Sequence, residues 1–247
     1  MVARLLDLIT SGLSKYQRAL GALGVALLFT ACGAREVVVQ GNFPKPLMDP
    51  LPLTVAVIYT DEFAQHEIFD EAAGRAESDW LVKTGDAQVE FWNTLLNGMF
   101  ESVVQIKDSE SLAAHQNTVD AVIIPAVADL QYTIPLHTNV KIYEIWMKYR
   151  FKMVALEDVH GNENGDLSIN PDRYFADWTL TAYGKTPTAF LQSDEEAVNL
   201  AAVVALRDAG ANFATSFSRV PDIATWMNEG LPPAPSEEAE NTGATDG

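Results

Sequence analysis

Hydrophobic and polar positions alternate with a period of two along residues 140–156. Tyr143, Ile145, Met147, Tyr149, Phe151 and Met153 fall on one side; Glu144, Trp146, Lys148, Arg150 and Lys152 fall on the other. This alternation predicts a long strand of an antiparallel sheet with one face buried. An earlier apolar run, 53–59, predicts a first strand, and 61–83 reads as mixed loop with short elements. Over 85–104 the period changes. Trp92, Leu95, Leu96, Met99, Phe100 and Val103 recur at helical spacing and predict an amphipathic helix. Residues 120–127 open a second strand that can run on to Ile134, with Pro125 marking an edge position or a bulge. A fourth strand is expected at 174–183, after the turn-rich stretch His160 to Asp166.

Ser193 followed by Glu196 is a capping box, and it opens a second helix over 194–217. The inner stripe of that helix is Val203, Leu206, Gly210, Phe213, Ala214 and Phe217, and a short helix from Pro221 to Asn228 closes the pattern. The order is β-α-β-β-β-α. The expected fold is α+β: a four-stranded, mainly antiparallel sheet with two helices on one face. Residues 32–52 hold Pro44, Pro46, Pro50 and Pro52 and read as an extended tether. Residues 53–230 form a single domain, and the Pro-rich, acidic stretch 231–247 reads as a disordered tail.

The first 31 residues follow a different logic. Arg4, Lys15 and Arg18 precede an apolar run from Ala19 to Phe29, then small residues and Cys32. This is the layout of a secretory signal peptide, and its apolar run is shorter than the ~20 residues a membrane span needs. Leu28-Phe29-Thr30-Ala31-Cys32 resembles the lipobox of bacterial lipoproteins. That resemblance implies cleavage before Cys32 and a diacylglycerol on its sulfur, with palmitate among the acyl chains. Gly33 in place of Asp implies sorting to the outer membrane, facing the periplasm. Two plainer readings stand beside it: an ordinary secretory signal with an incidental cysteine, or a short membrane anchor.

Charge narrows the partners. The chain carries 16 basic and 34 acidic residues, a net −18, and without residues 1–31 it carries 13 and 33, a net −20. Such a surface repels phosphate backbones, so nucleic acid is not an expected partner. It also disfavours adhesion to anionic lipid by charge alone, so membrane attachment requires a lipid or an apolar anchor. One cysteine permits neither an internal disulfide nor a thiolate metal cluster.

No catalytic set emerges, and the chain reads as a non-enzyme without cofactor or metal. His66, His115, His137 and His160 show no metal-ligand spacing, although His137 and His160 lie near strand ends. Tyr183-Gly184-Lys185-Thr186 lacks the upstream glycine of a phosphate-binding loop. Asp158 to Asp166 is rich in oxygen ligands, but no glutamate closes it as a calcium loop; Asn164-Gly165 fits a tight hairpin turn better. Acid pairs such as Asp61/Glu62, Asp70/Glu71 and Glu157/Asp158 read as solvated surface.

The row Trp146, Lys148, Arg150, Lys152 stands out, because it gathers three cations on the outer face of one strand. It is the candidate contact for a partner or an anionic envelope polymer. The plainer reading pairs these cations with acids across the sheet, Asp177 or Asp129. The lipobox, the Pro-containing tether and the order of elements over about residues 29–217 resemble small proteobacterial outer-membrane lipoproteins of the LptE-like and YajG-like kind. The resemblance is one of architecture and carries no motif. The expected function is a non-enzymatic scaffold or accessory subunit of an envelope assembly, with an envelope protein as partner. The alternative is a periplasmic binding module for a lipid, glycan or peptidoglycan fragment.

Overall fold

The computed structural model describes residues 34–71, 79–133, 142–187 and 193–231. The signal-like segment, Cys32, His137 and the tail beyond Leu231 lie outside the described residues. The chain divides into two compact units. The smaller comprises Met1–Arg35 and Phe69–Leu81. Within it the Arg35 N–H donates to the Asp79 carbonyl at 2.7 Å, and the Arg35 guanidinium lies 5.4 Å from the Trp80 ring centroid. The larger comprises Glu36–Ile68 and Val82–Gly247 and contains the main sheet.

In chain order the described elements are β1 (Arg35–Val38), β2 (Leu51–Val57), α1 (Asp61–Ala64), β3 (Glu67–Asp70), β4 (Trp80–Lys83), α2 (Gly85–Met99) and β5 (Phe100–Gln105). They continue with α3 (Ser109–Ala114), β6 (Ala121–Thr133), β7 (Ile142–Val154), β8 (Val159–Gly161), β9 (Leu167–Ile169), β10 (Ala176–Pro187), α4 (Asp194–Ser216) and α5 (Pro221–Glu229). Two small sheets, β1-β4-β3 and β8-β9, accompany the main one.

The fold is α+β, but the main sheet has five strands rather than four, in the order β10-β7-β6-β2-β5. Among the described residues there are five α-helices rather than two. The β10–β7 and β7–β6 pairs are antiparallel; β6–β2 and β2–β5 are parallel. The additional strand, β5, comes from the end of the expected first helix. That helix stops at Met99, and Phe100 is already extended, with φ −118° and ψ 153°. Val103 and Val104 are β-branched, stiff in a helix and well placed on a pleated sheet. Phe100 nonetheless packs near the helices, its ring 5.2 Å from that of Phe217, so the stripe continues in space after the backbone has changed period. Pro125 sits inside β6 without cost. The rungs with β2 end at Ile123, so no ladder bond is due at the Pro125 nitrogen on that side.

One face of the sheet is the core. Tyr143, Ile145, Met147, Tyr149, Phe151 and Met153 are all buried, as the period of two requires. Trp92 of α2 inserts among them. Its ring lies 5.3 Å from Tyr149, 4.9 Å from Phe151 and 5.2 Å from Phe213 of α4, each edge-on. Helix α4 approaches through alanines 197, 201, 202, 205 and 209, all buried. A Cβ at Gly184 of β10 would stand 1.9 Å from the Ala201 carbonyl oxygen, so only glycine permits this approach. The same helix caps the sheet edge: Asp208 accepts the Tyr183 N–H at 2.9 Å, and Asn212 donates to the Thr181 carbonyl at 3.2 Å.

Among the described residues, the opposite face is covered at one end. There Ala56, Ile58, Val122, Ile124 and Val154 pack with Ile106, Leu112 of α3, Leu156 and Val159 of β8. The stretch read as a tether is extended but docked from β1 onward. Val37, Val39 and Phe43 are buried, Phe43 meets Phe91 at 5.1 Å, and Gln40 exchanges two hydrogen bonds with Asn199 of α4. Arg207 holds the Asn42 carbonyl at 2.8 Å.

Because Trp92 joins two helices to the sheet and little can move to refill its place, Trp92→Ala should cost about 3–5 kcal/mol. Urea unfolding of the purified variant checks this; a loss below about 1 kcal/mol would contradict the central position given to this ring.

Candidate functional site

The candidate row emerges from register. On the outer face β7 presents Glu144, Trp146, Lys148, Arg150 and Lys152, and β10 sets Lys185, Tyr183, Thr181, Thr179 and Asp177 opposite them in turn. On the other flank β6 sets Thr133, Gln131, Asp129, Ala126 and Ile124. Of the acids expected across the sheet, Asp177 pairs with one of the three cations and Asp129 with none among the described residues. The Arg150 Nε donates to Asp177 Oδ1 at 2.8 Å while a second guanidinium N–H reaches the other carboxylate oxygen. This fork holds the Asp177 carboxyl below the usual carboxylate range and lifts Arg150 further above its own. The Lys152 ammonium sits 4.2 Å from the Tyr174 ring centroid. Lys148 stands across from Asp129 and forms no ion pair among the described residues; the Asp129 carboxylate accepts from Gln131.

The four residues thus divide. Arg150 pairs with an acid across the sheet, as the plainer reading has it; Lys152 is engaged by a ring instead, and Lys148 forms no ion pair among the described residues. Trp146 is 49% exposed, the largest ring so exposed at this face. Its neighbour is Tyr183, ring centroids 4.3 Å apart. The Tyr183 hydroxyl donates to Glu144 at 2.8 Å, and Lys185 lies 3.6 Å from the same carboxylate. Desolvation first, and then the bond to Glu144, raise the Tyr183 phenol above its ordinary value. The result is an aromatic platform of two rings, rimmed by Lys148 and Gln131 on one side and Glu144 and Lys185 on the other. The sequence places Glu144 on this face but gives Tyr183 and Lys185 no part in it. The signal for them is the alternation Asp177, Thr179, Thr181, Tyr183, Lys185, which can be aligned with β7 only once the strand pairing is known.

A second polar group is buried. The Tyr149 hydroxyl donates to Gln88 Oε1 at 2.7 Å, Gln88 Nε2 donates to Thr84 Oγ1 at 2.8 Å, and Thr84 Oγ1 meets His66 Nδ1 at 2.7 Å. The backbone N–H groups of Thr84 and Gly85 both donate to the His66 carbonyl, which fixes the start of α2. Burial pushes the Tyr149 phenol well up, and it depresses His66 against the opposing charges of Glu62 and Glu67. This chain satisfies polar atoms inside the core. It presents no open position for a reacting group.

The remaining candidates are structural. Asn162 Oδ1 accepts the N–H groups of Asn164 and Asp166 at 2.9 Å, and Gly165 has φ +93°, so 162–166 is the turn of the β8–β9 hairpin. Asp158 is engaged by Arg173 at 2.8 Å. Residues 183–186 lie inside β10, where no phosphate loop can form. His115 bonds the Ser111 carbonyl. Among the described residues no three His, Cys, Asp or Glu side chains converge as metal ligands, and no helix is long and apolar enough to cross a membrane.

With this geometry in hand, comparison with known proteins adds little about chemistry. No family model matches the chain, and no curated protein matches it in sequence. Among solved structures, a protein from Xanthomonas campestris is similar at 11% identity and TM-score 0.42, over 75% of this chain and 99% of that one. A protein from Chlamydia trachomatis is similar at 13% identity and TM-score 0.36, over 69% and 99%. A minor lipoprotein from Acinetobacter baumannii is similar at 10% identity and TM-score 0.31, over 69% and 94%. The solved neighbours thus include a lipoprotein. Similarities this distant assign no role to any residue here.

Two measurements check the structural assignments. A Cβ at Gly165 meets nothing within 4 Å, so Gly165→Ala should destabilise only through the backbone strain an alanine takes on at positive φ, about 1–2 kcal/mol, and calcium should leave the melting temperature of the wild type unchanged. A calcium-dependent rise would make 158–166 a metal loop after all. For His66, the depressed folded value means the unfolded chain binds the proton more readily. Stability is then whole above about pH 6.5 and falls as the pH drops below it, a slope that His66→Gln should flatten. Denaturant titrations at stepped pH read this directly.

Proposed function

We propose that the chain is an exported lipoprotein, held on the outer membrane by lipid at Cys32, that works by contact as an accessory subunit of an envelope assembly. The observation that carries the contact reading is the exposed Trp146–Tyr183 platform on the uncovered half of the sheet. Large aromatic rings with a polar, charged rim are the usual anchors of protein interfaces. The docked N-terminal stretch supports the anchoring part. Only Gly33 and Ala34 separate Cys32 from β1, about 10 Å of extended chain at most. A lipid at Cys32 would keep the domain against the bilayer, and the partner must reach the membrane surface. The packed ring cluster around Trp92 argues against the alternative of a lipid held between sheet and helices.

Two readouts in one strain test this. Wild-type chain should incorporate labelled palmitate and Cys32→Ala should not; equal labelling removes the lipoprotein reading. A photo-activated benzophenone side chain placed at 146 should give one dominant protein adduct in living cells, while the same group at the exposed hairpin residue Glu163 should not. No adduct from 146 in correctly anchored protein would remove the contact reading and leave the anchor standing.

A further inference from the structure

The two edges of the main sheet are treated differently. At β10 the outward backbone groups are met by Asp208 and Asn212 of α4. At β5 they are left open. The Ile106 N–H donates to the Val57 carbonyl at 3.0 Å, so the even-numbered residues of this segment aim their backbone groups at β2. Glu101, Val103 and Gln105 therefore aim theirs away from the sheet. Among the described residues none of these six groups has a hydrogen-bond partner. The usual protections of an edge are sparse here: one charge, Glu101, and no proline. Exposed apolar surface adjoins the open end. Pro46 packs against Gly98, and Leu47, which follows it, is fully solvent-exposed, with Met48 37% exposed.

We propose that β5 is a dimerisation edge, and that a second copy of this chain adds its own β5 antiparallel to the first across a two-fold axis. The occupant is argued from the strand itself, which is self-complementary in one register. Centred on Val103, the two strands place Val103 opposite Val103 and Glu101 opposite Gln105 of the other copy. All twelve outward groups of the two strands then pair, in six hydrogen bonds. Glu101 meets an amide donor rather than a carboxylate. The symmetric register centred on Glu101 sets like charges face to face and leaves the Val103 groups of both copies with poorer partners, so it is disfavoured. The result is a continuous ten-stranded sheet of the closed, isologous kind usual in dimers. The net −18 of each copy opposes association, and salt screens this repulsion. Association therefore strengthens as salt is raised, opposite to a contact held by ion pairs.

This inference is independent of the lipid anchor and of the Trp146 platform. Its test is sedimentation velocity of the full chain in a neutral detergent, from low to high salt. The expected result is a monomer–dimer equilibrium that shifts towards dimer with salt. Gln105→Glu puts a carboxylate opposite Glu101 twice per dimer and should weaken association about 2- to 30-fold; Gln105→Lys should strengthen it by a similar factor. Both changes are at a partly exposed edge position, and equal melting temperatures will show that the fold is intact. In purified protein with Cys32 changed to Ser, so that no other thiol is present, Val103→Cys should form a disulfide-linked dimer. A chain that is monomeric at every salt concentration, or a dimer indifferent to the sign of the charge at 105, overturns the proposal.

Discussion

The contact on which the rest depends is the insertion of Trp92 between the sheet and α4. Its ring touches Tyr149 and Phe151 from β7 and Phe213 from α4 at once. Once that face of β7 is committed to the core, the strand's period of two leaves no choice for the alternate residues. Glu144, Trp146, Lys148, Arg150 and Lys152 must point outward, in line and about two residues' rise apart. The candidate site is in this sense a consequence of core packing. The exposed platform exists because the buried one is full.

The same commitment explains the polar chain behind it. Tyr149 brings a hydroxyl into the interior, where an unpaired donor costs about 1–3 kcal/mol. Gln88, one turn before Trp92 on the same face of α2, accepts it and passes the requirement to Thr84 and His66. The start of α2 is thereby tied to the segment after α1. A Cβ at Gly85 would stand 2.1 Å from the Ala64 carbonyl oxygen, so the backbones are as close as two chains can lie. The aromatic contact sets where the helix goes; the polar chain and the glycine set where it begins.

Much of this was legible without coordinates. The alternation of β7, the inner stripe of α4 and the Ser193 cap, whose oxygen accepts the Glu196 N–H at 3.2 Å, all lie where the periodicity puts them. What was not legible has a common cause. Phe100 and Val103 satisfy a helical period and a strand period equally well, and only the backbone turn at Phe100 decides between them. The prolines of 44–52 exclude a helix but say nothing about docking; Val39 and Phe43 find their places only because α2 and α4 leave a groove for them. Among the site residues, Glu144, Trp146 and Lys148 could be read from one strand. Tyr183 and Lys185 needed two, because a platform is a property of pairing and not of sequence spacing.

The two faces and two edges of the sheet also differ in what they ask of a partner. The outer face around Trp146 offers rings and mixed charge, a surface that selects by shape and chemistry. The β5 edge offers backbone groups, which select hardly at all among extended strands. An open edge of this kind can accept a further strand, and the composition of β5 limits which. Glu101 and Gln105 flank Val103 symmetrically, and the proposed pairing with a second copy rests on that symmetry. Because the edge and the platform lie on different boundaries of one sheet, self-association through β5 leaves Trp146 and Tyr183 free. Two copies would then present two platforms on one continuous sheet, and whatever binds there would meet them as a pair.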